Sequence, residues 1–257
     1  MLNAIAKDFV EAKFKKLDDV TGVLLMGSTP LGYADGLSDV DLEVVATNKL
    51  YNEVKACCEV SEQYRGISVS WEWMTFEELA SQFKDWKDDI DLWVYSKSKI
   101  LHDPKHRVEN LLSKYERYPK KIWLEKLFLY GHFATAQAPY DSGKSIQRGD
   151  LITAQLCLNQ AMEYYTALIF ILNHSFVPYR KWRLKEFKKL GYKPENYEEK
   201  LCTILTTTNW TRKEFETKQV IINELVSELE KELAKAGVSK ERLENPWKFK
   251  VTYVPRT

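Results

Sequence analysis

The sequence predicts an α+β protein whose strands are confined to the first half and whose second half is helical throughout. Three observations carry this. Short runs of strand length, apolar or alternating, occur only up to about residue 101. Beyond about residue 108 the apolar residues recur at helical spacing over longer stretches. The content, 44% hydrophobic and 29% charged over 257 residues, is that of a chain able to build large cores. The division is expected at residue 110, giving domains 1–110 and 111–257.

In chain order, residues 4–17 have apolar positions on one helical face, and residues 22–26 (GVLLM) read as a buried strand. Residues 40–46 (VDLEVVA) alternate as a second strand, and Asn48 to about Ser61 is expected to be helical. Ile67–Met74 alternates clearly, and Thr75 with Glu78 forms a capping-box pattern at a helix start. Residues 92–95 and 99–101 are expected to supply one more strand, ended by the His102-Asp103-Pro104 turn. A helix over Lys120–Gln137 is expected to stop at Pro139, with 140–148 a polar loop. Residues 150–173 form a long apolar helix, and 180–190 a basic one. Thr211 and Glu214 repeat the capping box, and Gly237 closes a helix with a stripe of Phe215, Ile222, Leu225, Leu229 and Leu233.

No stretch reaches the roughly 20 apolar residues of a membrane span, and the charged N-terminus lacks an apolar signal core. A cytoplasmic protein is expected. Cys57, Cys58, Cys157 and Cys202 show no CxxC spacing and are expected to be free thiols. The net charge of +1 hides an asymmetry. Residues 1–110 carry 13 basic and 20 acidic residues, a net of −7, and residues 111–257 carry 25 and 17, a net of +8. Such halves suit cations on one wall and phosphates on another, as well as two ordinary solvated surfaces.

The chemistry concentrates in Met26-Gly27-Ser28, ten further residues, and Asp39-Val40-Asp41-Leu42. Side chains alternate along a strand, so Asp39 and Asp41 share a side, where a cation between them would relieve their repulsion. Gly27-x4-Gly32 lacks the lysine and hydroxyl of a P-loop, and no GxGxxG occurs. The pattern resembles the signature of the DNA polymerase beta-like nucleotidyltransferase superfamily, closely over residues 22–46. That group includes aminoglycoside and lincosamide nucleotidyltransferases, CCA-adding enzymes and poly(A) polymerases.

The resemblance implies a mixed β-sheet flanked by helices, with the helical half walling the acceptor site. It implies a magnesium-dependent transfer of a nucleotide, AMP from ATP, to a hydroxyl of a small-molecule acceptor, with release of pyrophosphate. Asp39 and Asp41 would bind a pair of magnesium ions, whose preference is for carboxylates, phosphates and water. Glu72, between Trp71 and Trp73, is the best match to a third carboxylate, as metal ligand or as the base that takes the acceptor's proton; Asp89 and Asp91 rank behind it. Gly27 would let a phosphate approach the backbone, and Ser28 would donate to the β- or γ-phosphate. Relatives often carry a cation soon after the Gly-Ser, where this chain has Thr29-Pro30-Leu31. Arg180 and Lys181 are the expected nucleotide-binding cations in its place.

The basic second half suits a neutral or anionic acceptor better than a polycationic aminoglycoside. An RNA end ranks below a small molecule, because no RNA-binding module is recognisable. A regulatory or antitoxin-like domain acting on a partner protein is the other class considered, and the extra helical half counts against it. Asn159 and Glu163 lie one turn apart on the apolar helix, where Glu163 is expected to be paired or to face a cleft. The four histidines fit no metal-ligand spacing.

Overall fold

The computed structural model describes residues 1–54, 59–86 and 88–245, so Cys57 and Cys58 lie outside the described residues. Two compact units meet in sequence at Glu116 and Arg117.

The first unit is a five-stranded mixed sheet of order β3-β4-β2-β1-β5. Its strands are β1 (Val20–Met26), β2 (Val40–Ala46), β3 (Glu59–Tyr64), β4 (Ile67–Thr75) and β5 (Lys99–His102). β2 and β4 run parallel and the other neighbours antiparallel. Helix α1 (Leu2–Lys13) buries Leu2, Ala6, Phe9 and Val10, the spacing of one helical face. With Phe14 these residues form one core with Val23, Leu25, Val40, Leu42, Val44, Val69 and Trp71 from the sheet. The opposite face carries Gly22, Leu24, Met26, Asp41, Glu43, Ser70 and Glu72 by the same alternation. A β-carbon on Gly22 would meet Val108 of α5 (Arg107–Leu112) at 2.7 Å, so that helix lies tight against the second face.

Two expectations in this unit need correction. The helix read over 48–61 is α2 (Asn48–Val54), and residues 59–64 are β3. Val60, Glu62 and Tyr64 are half-buried between exposed Ser61 and Gln63, and Tyr64 packs edge-on against Phe9. Arg65 and Gly66 both have positive φ, 53° and 79°, which closes a two-residue hairpin of the primed type onto β4. Residues 92–95 belong to a helix, α4 (Asp89–Lys97), and only 99–102 form a strand. The Asp88 carboxylate accepts the amides of Ile90 and Asp91, a cap that overrides the strand-like Leu-Trp-Val-Tyr run. The box at Thr75 opens α3 (Phe76–Gln82) with both reciprocal bonds present.

The second unit is helical throughout its described residues: α6 (Lys120–Gly131), α7 (Ala138–Arg148), α8 (Leu151–Leu172), α9 (Arg183–Phe187), α10 (Tyr197–Leu205), α11 (Arg212–Lys235) and α12 (Lys240–Glu244). Residues Tyr164–Ile171 of α8 are buried on every side, and the five-residue stripe of α11 belongs to the same core. Pro139 does not stop the chain's helix. A π-helical segment, His132–Gln137, precedes it, and Pro139 sits in the first turn of α7, where a missing N–H costs nothing. The expected loop at 140–148 is therefore helix, ended by Gly149 at φ 78°. The basic segment is a 3-10 turn, Arg180–Trp182, followed by α9, and it ends at Phe187. Thr211 caps α11, but Glu214 turns its carboxylate to the amides of Thr208 and Asn209 instead of completing the box. Gly237, at φ 89°, ends that helix, with Val238 N bonded to Leu233 O. No helix among the described residues is long and apolar enough to cross a membrane.

Candidate active site

β1 ends at Met26, and Gly27 turns the chain at φ 71°, a conformation glycine adopts without a side-chain clash. Ser28 is half-buried, and its hydroxyl has no hydrogen-bond partner among the described residues. The antiparallel register sets Asp41 opposite Met26. Its Oδ2 fills the space that a β-carbon on Gly27 would need. Its Oδ1 accepts the Ser70 hydroxyl at 3.1 Å, from the neighbouring position of β4. Gly27 thus makes room for a carboxylate of the chain itself, a use not foreseen from the sequence.

Asp39 immediately precedes β2 and is exposed. Its carbonyl accepts the hydroxyl of buried Thr29 at 3.3 Å. The turn after β1 and the start of β2 therefore bring Gly27, Ser28, Asp39 and Asp41 to one end of the sheet. Glu72 is exposed on the same face but sits in register with Glu43, two residues further along, while Ser70 is Asp41's neighbour. Among the described residues no three His, Cys, Asp or Glu side chains gather as a metal cluster.

Glu43 escaped the sequence reading. Burial pushes its carboxyl up to about 7; the Tyr95 hydroxyl donates to it and lowers it, while Glu72 and Asp91 nearby raise it further. Its Oε2 is buried without a hydrogen-bond partner. Asp91 and Tyr95 come from one face of α4, four residues apart. The signal was present: the alternation of Asp39 and Asp41 runs one step further to a third acid on an otherwise apolar strand.

In the second unit Glu163 is paired. Arg183, almost fully buried, donates to its Oε1, and Arg180 does so at 3.3 Å. Arg183 also donates to the Pro178 carbonyl at 3.3 Å, which fixes the turn carrying Arg180 and Lys181. Asn159 accepts from Gln155 at 2.7 Å. The Lys181 ammonium lies 5.7 Å from the Tyr179 ring and 5.4 Å from that of Trp182, with no carboxylate partner among the described residues. His132 bonds the Leu243 carbonyl, His174 stacks on Trp123, and His106 pairs with Glu109.

A crystal structure of a nucleotidyltransferase-like protein from Exiguobacterium sibiricum 255-15 superposes with a TM-score of 0.53 at 12% identity. The match covers 90% of this chain and 78% of that one. The chain has a nucleotidyltransferase-like fold. Residues 88–183, from the cap of α4 to Arg183, also match a family described as a domain of unknown function, DUF4037. No curated protein matches the chain.

Proposed function

We propose that the chain is a magnesium-dependent nucleotidyltransferase that moves a nucleotide, AMP from ATP, onto a hydroxyl of a small-molecule acceptor and releases pyrophosphate. The observation that carries this reading is the seating of Asp41 over Gly27, with Asp39 tied to the same turn through Thr29. Asp39 is exposed and makes no side-chain hydrogen bond or ion pair among the described residues, so its carboxylate is available to a cation. Two carboxylates, with no third acid gathered beside them among the described residues, are a number that magnesium accepts when phosphate and water complete its shell. The residues present fit the ion.

Bound by Asp39 and Asp41, the metal would offset the negative charge of the attacking oxygen and of the leaving phosphates. The chain's own groups do the rest. The free Ser28 hydroxyl donates to a β- or γ-phosphate oxygen. An acceptor hydroxyl oxygen bonds to the α-phosphorus while the bond from that phosphorus to the bridging oxygen breaks, and pyrophosphate leaves with the electron pair. The proton of the attacking hydroxyl passes to a carboxylate, the role proposed for Glu72, which is exposed on the same face. For the triphosphate's charge the proposed cations are Arg180 and Lys181, of which Lys181 has no competing carboxylate among the described residues.

The test mixes the protein and magnesium with each of the four nucleoside triphosphates and pools of hydroxylated metabolites, and follows pyrophosphate. Release with ATP and one pool, abolished by EDTA, is expected. A protein that releases none with any pool, yet binds each triphosphate equally with and without magnesium, would sink the reading.

A further inference from the structure

We propose that Thr29 and Ser70 are positioning residues, one for each aspartate of the pair, whose hydroxyls set the metal affinity of the site. The inference rests on the metal-binding reading of Asp39 and Asp41. The ladder that fixes β2 begins at Val40, so the sheet does not fix Asp39, which ends a loop whose Leu37 is 96% exposed. Thr29 closes that loop at its neck. Its side chain is 3% exposed, and its hydroxyl donates to the Asp39 carbonyl at 3.3 Å. Its own carbonyl accepts from Gly32 N at 3.3 Å and from Asn3 Nδ2 of α1 at 3.4 Å. The residue that follows Ser28 is thereby anchored to α1 on one side and to Asp39 on the other.

Ser70 does for Asp41 what Thr29 does for Asp39, by a different route. The parallel register places it beside Asp41, and its hydroxyl holds Oδ1 at 3.1 Å while Oδ2 lies over Gly27. The hydroxyl holds one carboxylate oxygen while the other occupies the space Gly27 leaves open, which favours one orientation out of the several that a half-exposed aspartate samples. A hydrogen bond to an ionised acceptor is stronger than one between neutral groups. Outer partners of metal-binding carboxylates commonly govern affinity by about ten- to a hundredfold. Both hydroxyls donate to the aspartates, so their effect is expected on the metal and not on the nucleotide directly.

The experiment titrates magnesium against a fixed concentration of α,β-methylene ATP, with nucleotide binding as the readout, for the full chain and four variants. Thr29→Val keeps the shape without the hydroxyl, and Ser70→Ala removes the donor; each is expected to raise the half-saturating magnesium concentration about fivefold or more. Thr29→Ser and Ser70→Thr, which keep the donor, are expected to restore it, and affinity for the metal-free nucleotide should not change. Val and Ala variants with the parent's magnesium requirement would overturn the assignment. So would a fall in metal-free affinity in step with the metal effect, or an equal loss in the Ser and Thr variants, because either marks general loosening. A parent chain with no metal-dependent binding would sink the nucleotidyltransferase reading as well, whereas a normal parent with unaffected variants sinks only the positioning roles.

Discussion

The two faces of the sheet are built from alternate residues of the same strands and are opposite in character. Under α1, Trp71 lies between Phe9 and Phe14 at centroid distances of 5.6 and 5.7 Å, with the Lys13 ammonium 4.3 Å from its ring. One residue away on either side, Ser70 and Glu72 look to the other face, where Glu72 and Asp91 act on the carboxyl of Glu43. The first face gains from burial of large side chains. The second carries a buried carboxyl beside other acids, which costs the folded chain stability. Apolar packing and acidic side chains are thus separated by a period of two along one set of strands.

The contrast can be broken most strongly on the apolar face. Trp71→Ala is expected to cost about 3–5 kcal/mol in urea unfolding; a loss below about 1 kcal/mol would mean that this face is not the first unit's main support. On the acidic face the effect depends on pH. Glu43 is raised from its ordinary 4.5 to about 7, so the folded chain holds a proton that the unfolded chain has released, and stability is lost as pH rises through that interval. At about 1.4 kcal/mol per pH unit the full effect is bounded near 3 kcal/mol. Without metal at pH 8, Glu43→Gln is therefore expected to be more stable than the parent, with the difference closing as pH falls towards 4.5. Equal pH slopes in parent and variant would remove Glu43 from the account.

Smaller effects sharpen the picture. Gly27→Ala combines a positive φ with a β-carbon in the place of the Asp41 carboxylate, and is expected to cost about 1–3 kcal/mol by thermal melting. It should lower metal-dependent nucleotide binding with it; a melting temperature like the parent's would show that Asp41 can swing aside freely. Lys181→Ala should weaken triphosphate affinity about fivefold, roughly 1 kcal/mol, and leave monophosphate affinity unchanged. Equal effects on both would remove Lys181 from the triphosphate.

Much of the architecture was legible because it depends on local pattern. The strands at 22–26 and 40–46, the box at Thr75, the apolar helix over 150–173 and the stripe of α11 are written in residues a few positions apart. The misread segments have local signals that a neighbour overrides. Pro139 reads as a stop, yet a π-helical turn before it lets the helix resume. Leu92–Tyr95 reads as a strand, yet Asp88 caps a helix through it. Residues 59–61 read as the end of a helix, yet the Arg65-Gly66 turn folds them back as a strand onto β4. In the site, Asp39, Asp41, Gly27 and Ser28 stood out by their spacing and by the family resemblance that spacing carries. Ser70 and Thr29 did not, because their partners lie 29 and 10 residues away and meet them only through sheet register and loop closure. Glu43 was legible in principle and was passed over as part of the strand's alternation.

The most direct measurement of the central claim is ATP binding by calorimetry, with magnesium and with EDTA, for the parent chain, Asp39→Asn and Asp41→Asn, each checked for folding by circular dichroism. The parent should bind with magnesium and lose affinity sharply with EDTA, and both folded variants should bind at least about tenfold more weakly with magnesium present, the equivalent of about 1.4 kcal/mol. Metal-dependent binding of undiminished strength in both variants would contradict the account.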